Sequence, residues 1–411
     1  MTTCRSCFNS DLQPILSLGS TPLANALLRS DQLSAPEDVY PLDFVLCPNC
    51  SLVQITETVP PEKLFAEYFY YSSFSDTALQ SAKDLAAKMI GLCNLNETSL
   101  VAEVASNDGY LLKYYQQEKI PVLGIEPATN IAAQAQEMGV PTLNKFFGIE
   151  AAEQVKAEHG QADIIHANNV IAHVADLHGV IAGMALLLKK DGVAIVENHY
   201  VKDLIDHVEF DSIYHEHLCY YSLTSFKNLF QRHNLEVVDV ERIGVHGGSL
   251  RVFFQPADGP KSLSKQGAQR VEALLQEEQE WGVDSYDFYR NFGEKVHALR
   301  EKLVQLLGQI KADGKRVAIY GASAKSTTLL NYFGISAADV DYVVDRSTAK
   351  QGHYTPGTHL PIFSPSKLVE DKPDFVLLLA WNLVEEVLAQ QEEYRARGGK
   401  FIVPIPSVRI V

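Results

Sequence analysis

Two Cys-x-x-Cys pairs, Cys4 with Cys7 and Cys47 with Cys50, stand ahead of a segment reading Leu100-Val-Ala-Glu-Val-Ala-Ser-Asn-Asp-Gly109. This order of parts limits the fold more than any other feature of the chain. Each Cys-x-x-Cys turn sets two thiolates on one edge of a metal ion, and a distant second turn supplies the other edge, the all-sulfur tetrahedron of structural zinc. A redox dithiol is the competing reading, and two pairs without a thioredoxin-like context weigh against it. With Cys4, Cys7, Cys47 and Cys50 all engaged, no coordination position is left for substrate, so the metal would brace the fold and not activate water. Cys93 and Cys219 are left over and read as small buried apolar residues.

A chain of 411 residues exceeds what one hydrophobic core usually supports, which implies two or three domains. Its net charge of -16 opposes phosphate backbones and anionic lipid, so no nucleic acid partner is expected. The longest apolar runs, such as Phe375-Val-Leu-Leu-Leu-Ala-Trp381, are far shorter than a bilayer span requires, and no basic-then-apolar signal opens the chain. No membrane association and a cytoplasmic location are the expectation, and a reducing compartment favours metal ligation over disulfides for the paired cysteines.

The pattern divides the chain into a metal-stapled module at 1–75, an α/β domain at 76–258, and helices followed by a second α/β unit at 259–411. Helical spacing begins at residue 75, with Asp76 as a candidate cap. Strands at 100–104, 122–126, 164–167 and 193–197 then alternate with helices at 128–137, 149–159 and 177–189, which implies a parallel sheet covered on both faces with ligands at the carboxyl ends of its strands. An antiparallel pair at 236–243 and 250–255 ends this domain. Residues 260–312 read as solvent-exposed linking helices. Strands at 315–320, 340–345, 375–380 and 401–403, with a helix at 383–397, form the last unit.

The turn from Glu103 to Gly109 suits an adenosine-containing cofactor, because small residues admit close backbone approach and Glu126, ending the next strand, would accept from ribose hydroxyls. With one glycine and no pyrophosphate cradle, S-adenosylmethionine fits better than NAD. Glu103, Ala105, Asn107, Asp108, Gly109, Glu126 and Asn168 are the candidate cofactor contacts. The run Asp211-Ser-Ile-Tyr-His-Glu-His217 crowds titratable groups just beyond the active edge of the sheet and marks Tyr214, Glu216 and His217 as a catalytic constellation. A histidine oriented by Glu216 suits removal of a proton beside a ketone. Tyr70, in the aromatic run 68–71, fits packing or a pocket wall; His173, after the strand at 164–167, fits a ligand site or a satisfied core histidine. Tyr320-Gly-Ala-Ser-Ala-Lys-Ser-Thr327 offers small residues, hydroxyls and a lysine at a helix start, which suits phosphate or a plain cap.

Together these motifs, with His246-Gly-Gly-Ser-Leu-Arg251 and Ala380-Trp-Asn382, resemble the three-domain sugar C-methyltransferases that act on nucleoside-diphosphate 4-keto-deoxysugars in branched-chain sugar synthesis. The resemblance spans nearly the whole chain. It implies a zinc-binding module, a Rossmann-like methyltransferase domain and a second, C-terminal Rossmann-like domain that holds the nucleotide-sugar. It further implies His217 as general base, with Glu216, Tyr214, Tyr70 and His173 in support, and His246, Arg251, Tyr320, Ser323, Lys325 and Asn382 at the substrate. Members often carry Gly where this chain has Ala105. The rival readings are a C-methyltransferase acting on another keto acceptor and a non-catalytic zinc- and nucleotide-binding protein.

Overall fold

The structure, a computed structural model, describes residues 2–65, 71–260 and 263–411. In the first module β1 (Gln13–Pro22) pairs antiparallel with β2 (Val39–Leu46), and β3 (Val53–Ile55) adds to β2. Ser20-Thr-Pro22 reads in sequence as a turn signal, yet it lies within β1. The cause is local: β1 carries register shifts at 14–16 and 17–20, so its Gly19 and Pro22 sit within a bulged strand.

The middle domain contributes β4 (Val101–Val104), β5 (Val122–Ile125), β6 (Thr142–Leu143), β7 (Ala162–Asn168) and β8 (Leu188–His199), parallel in the order β6-β5-β4-β7-β8. Residues 101–104 and 122–125 are buried throughout, as a parallel strand covered on both faces must be. The strand order reverses between β4 and β7, so the crevice beyond their carboxyl ends is where such a sheet binds its ligand. The chain then leaves this sheet: β9 (Cys219–Tyr220) pairs with β3, and the first module takes its fourth strand from the middle domain. Finally β10 (Leu235–Ile243) and β11 (Ser249–Pro256) return, with β11 antiparallel to both β8 and β10. The helix expected from residue 75 runs Asp76–Cys93, and its cap is Ser75, whose side chain accepts from the Ala78 amide, rather than Asp76.

The segment expected to be exposed linker is not. Helix Phe292–Ala312 buries Phe292, Val296, Leu299, Leu303, Leu307 and Ile310 along one face. Helix Lys265–Trp281 buries Glu278, whose carboxylate accepts from the Tyr200 hydroxyl at 2.8 Å, the amides of Leu223 and Thr224 at 2.7 and 2.8 Å, and the Thr224 hydroxyl at 2.6 Å. That carboxylate caps the helix Leu223–Phe230 and ties the linker to the middle domain.

The last unit is a second α/β sheet of β12 (Val317–Tyr320), β13 (Val343–Val344), β14 (Ile362–Phe363), β15 (Phe375–Leu378), β16 (Lys400–Val403) and β17 (Arg409–Ile410). Its order is β14-β13-β12-β15-β16-β17, and only β17 runs antiparallel to its neighbour. The helix expected at 383–397 is broken into Val384–Gln390 and Glu392–Ala396. All three units touch. The Thr327 hydroxyl donates to the Ala24 carbonyl at 2.8 Å, and Leu28 and Tyr354 exchange backbone hydrogen bonds of 2.9 and 2.8 Å.

Candidate active site and metal centre

The two cysteine turns are copies of one another. Cys4 N donates to Asn9 O and Phe8 N to Cys4 O at 2.8 and 2.9 Å; Cys47 N donates to Leu52 O and Ser51 N to Cys47 O at the same distances. In each turn the residue after the second cysteine, Phe8 or Ser51, has φ +61°. The four sulfurs lie within 4.8 Å of one another, with Cys4–Cys50 and Cys7–Cys47 at 3.5 Å. Zinc–sulfur bonds of about 2.3 Å place tetrahedral ligands about 3.8 Å apart. The donor set therefore fits structural zinc.

At the end of β4 the cofactor turn is held in uncommon backbone geometry: Ala105, Asn107 and Gly109 have φ of +49°, +50° and +78°. For Ala105 that conformation costs about 1–2 kcal/mol, which glycine would not bear. Gly124 on β5 makes the turn possible, because a methyl there would sit 2.4 Å from Ser106 Oγ. Glu126 accepts from the amides of Asn107 and Ala128, each at 2.9 Å, which leaves carboxylate lone pairs for a ribose. Among the described residues, Glu103 Oε2, Asp108 Oδ1 and Asn168 Oδ1 are buried acceptors without a hydrogen-bond partner. Burial, then the charges of Asp108 and Glu126, hold the Glu103 carboxyl well above the ordinary range. Orphaned acceptors beside crowded acids suit a cationic ligand, so the residues present fit S-adenosylmethionine, which carries an ammonium and a sulfonium. Ser72 N and Ser73 N close over this turn, bonding Asn107 Oδ1 and Asp108 Oδ2 at 2.9 and 3.3 Å.

His217 stands next to this crevice. The Leu218 amide donates to Ala172 O at 2.7 Å, which fastens the His217 loop to the segment that follows β7, and the rings of His217 and His173 meet edge to face at 4.8 Å. His217 Nδ1 donates to Ser212 O at 3.0 Å, which fixes the tautomer, so Nε2 accepts from the Tyr214 hydroxyl at 2.8 Å. Glu216 was expected to orient His217 and does not: its carboxylate points away and accepts from Asn25 Nδ2 of the first module at 2.6 Å. Burial pushes Glu216 up to about 7 against the pull of Asn25 and Lys350. Burial, then repulsion from His173, His199 and Lys325, holds His217 well below the usual histidine value. His173 is lowered to about 4 by burial. Tyr70 lies outside the described residues, as does the side chain of His246.

The remaining candidates divide. Arg251, expected at the substrate, is buried and spends its guanidinium inside the fold, on Glu197 at 2.9 Å, Ser81 at 3.0 Å and Glu241 at 3.4 Å. Ser323 caps the helix Ala324–Phe333 through Ser326, and the Tyr320 hydroxyl faces Gln390 at 3.4 Å within the last unit. The Ala322 amide of that turn donates to Asp345 Oδ2 at 2.8 Å. Lys325 lies against its own unit, its ammonium 4.5 Å from the centroid of the Trp381 ring, and it is Trp381 that crosses to the middle domain, where its Nε1 donates to Asp211 Oδ2 at 2.7 Å. Asn382 follows Trp381 in the same short turn, half buried.

Sequence reasoning missed His199 and Glu209. His199 ends β8, and its Nε2 lies 3.0 Å from Glu209 Oε2. The pair is ten residues apart, closed by a turn in which Val208 has φ +58°, and no periodicity announces it.

This fold and site are those of an S-adenosylmethionine-dependent methyltransferase that carries a zinc module. Residues 4–65 match a zinc binding domain, 80–240 a methyltransferase domain, and 244–406 the C-methyltransferase C-terminal domain. The C-methyltransferase NovU of Streptomyces niveus is 36% identical over 408 residues, covering 99% of this chain and 96% of that protein. The chain belongs to the C-methyltransferase family and is an S-adenosylmethionine-dependent C-methyltransferase. Among solved structures, the PH0226 protein of Pyrococcus horikoshii OT3 resembles 49% of the chain over its whole length, at 13% identity and TM-score 0.38. Magnesium protoporphyrin IX methyltransferase of Synechocystis PCC 6803 resembles 47% of the chain over 88% of its own, at 11% identity and TM-score 0.34. No helix among the described residues is long and apolar enough to cross a membrane.

Proposed function

We propose that this enzyme methylates carbon 3 of a nucleoside-diphosphate 4-keto-deoxysugar, with Tyr214 and His217 generating the enolate. One observation carries the reading: the partly buried His217 Nε2 shares a hydrogen bond of 2.8 Å with the Tyr214 hydroxyl beyond the carboxyl edge of the middle sheet. S-adenosylmethionine bound at the turn 103–109 supplies the methyl group as an electrophile. The protein must supply the nucleophile, and carbon 3 becomes one only when its proton leaves and the neighbouring carbonyl oxygen takes up the charge. His217 Nε2 receives that proton. Tyr214, which hydrogen-bonds the same nitrogen, then has its hydroxyl at hand for the substrate oxygen. The low basicity that burial imposes keeps His217 unprotonated at neutral pH, ready to accept. Lys325, which lies over the Trp381 ring, and Asn382, the residue after Trp381, are assigned to the nucleotide-sugar, and His173 to orientation of the His217 ring.

His217→Asn is expected to lower turnover of a 4-keto sugar nucleotide by roughly 100-fold or more. Calorimetric binding of S-adenosylmethionine should stay close to wild type, because no cofactor contact is removed. Turnover retained at the wild-type rate would exclude His217 as the base.

A further inference from the structure

The turn at the end of β4 gathers three buried acids: Glu103 and Asp108 are each 1% exposed and Glu126 4%. Glu103 pairs with Gly124 on β5, and Glu126 stands two positions beyond Gly124, where the alternation of a strand returns a side chain to the same face. The Ser106 amide donates to Ile125 O at 3.3 Å, which keeps the turn carrying Asp108 against β5. Among the described residues no cation forms an ion pair with any of the three.

The acids differ in what props them. Glu126 accepts from the amides of Asn107 and Ala128 at 2.9 Å, and Asp108 Oδ2 accepts from the Ser73 amide at 3.3 Å. Amide donors favour the ionised form of a carboxyl. Glu103 receives no hydrogen bond among the described residues, and its Oε2 is buried. Ionised, it would be a buried charge with neither donor nor counter-ion and with two like charges close by, the arrangement in which a carboxyl keeps its proton.

We propose that Glu103 carries a proton in the cofactor-free protein and gives it up to solvent when the cationic cofactor binds, so that capture of S-adenosylmethionine is coupled to proton release. The O–H bond of the carboxyl breaks, its electron pair stays on the carboxylate, and the proton passes to water or buffer. The ammonium and sulfonium of the cofactor bring the positive charge that the three acids lack. The inference depends on the cofactor alone and not on the sugar substrate or the role of His217.

The groups that face Glu103 from other elements leave this coupling in place. His166, its partner on β7, is lowered to about 3 by burial and then by the charge of Arg251, and its Nε2 lies 2.8 Å from the Tyr115 hydroxyl. Tyr115, from the helix Leu112–Gln117, is raised by burial and then by Glu103 and Cys93, so it too stays neutral. Arg251, on the same face but three strands away, is held by Glu197 and Glu241. Burial, then Asp108 and Glu126, raises Glu103 itself, in agreement with the geometry.

Titration calorimetry of the whole protein with S-adenosylmethionine, in buffers of different ionisation enthalpy, counts the proton. At about pH 6.5 the cofactor's own amine stays charged, so the count reports the protein. Wild type should release about one proton per cofactor bound, and its Kd should fall about tenfold per unit as pH rises from about 5.5 to 6.5. Glu103→Gln copies the protonated form: it should lose that proton release and that slope, bind roughly 10-fold or more weakly, and keep the wild-type thermal midpoint or exceed it. Asp211 and Glu216, raised to about 7 by burial, titrate near the same range, and the difference between the two proteins subtracts them. A merely structural role for Glu103 would lower the midpoint and leave the proton count unchanged. The inference fails if wild type releases no proton, or if Glu103→Gln releases as many. Should Glu103→Gln not fold, Asp108→Asn decides: with one like charge gone the sloping part of the Kd profile should move to lower pH, and an unmoved profile overturns the inference.

Discussion

Single side chains in this enzyme gain their chemistry from partners that no local pattern reveals. His217 was legible because its neighbours Tyr214 and Glu216 crowd into four positions, but the nature of its partnership was not. The residue beside it in sequence, Glu216, turns to another domain, and the one three positions back holds the ring. Arg251 was misplaced for a related reason: its partners Glu197 and Glu241 are set by the register of β11 against β8 and β10. Ala105 was legible as a departure from glycine, and its φ of +49° turns that departure into an energy. Ala105→Gly should raise stability by up to about 1 kcal/mol, since the strain relieved exceeds the chain entropy that glycine adds. Denaturant titration should show the midpoint rising at unchanged slope, and a lower midpoint would remove strain from the account of this turn.

Among elements, the short strand β9 does more than its two residues suggest. It begins two positions after His217, and through it the His217 loop is laddered onto β3 of the zinc module. His215 adds a second fastening, its Nε2 bonding the carbonyls of Tyr40 and Pro41 at 3.2 and 3.1 Å. The zinc module is therefore the floor on which the His217 loop rests. Cys47→Ser should lower zinc content and speed amide hydrogen exchange at Ile55, which donates to Leu218 O, before it disturbs β4 and β7. Unchanged metal stoichiometry would remove the zinc assignment, and unchanged exchange at Ile55 would cut the link to the loop. The longer elements of the α/β domains were readable from apolar runs of the right length. The linking helices were misread because their polar stretch holds no long hydrophobic run, although the spacing from Phe292 to Ile310 already traced an apolar stripe.

At the scale of the whole molecule, the three units converge on Glu216, which takes a hydrogen bond from Asn25 of the first and feels Lys350 of the last. Burial raises its carboxyl from an unfolded value of about 4.3 to about 7. A group raised in this way contributes stability that is fully present below the unfolded value and is lost as pH climbs through the folded one. Wild type should lose stability relative to Glu216→Gln between about pH 4 and pH 8, by an amount on the order of 3 kcal/mol. Thermal midpoints of the two proteins that keep a constant gap across that window would show that the carboxyl is not buried in solution. The domain order was legible from motifs alone. That these domains would be knitted together was not, because contacts such as Thr327 to Ala24 join residues some three hundred positions apart.

The paired hydrogen bonds between Leu28 and Tyr354 make the molecule a closed loop of lobes and not a string of beads. A single cut between β11 and the helix that follows would leave two pieces still buckled to each other at the far side. Any motion that parts the first and last units must therefore pivot about that buckle, or undo it first.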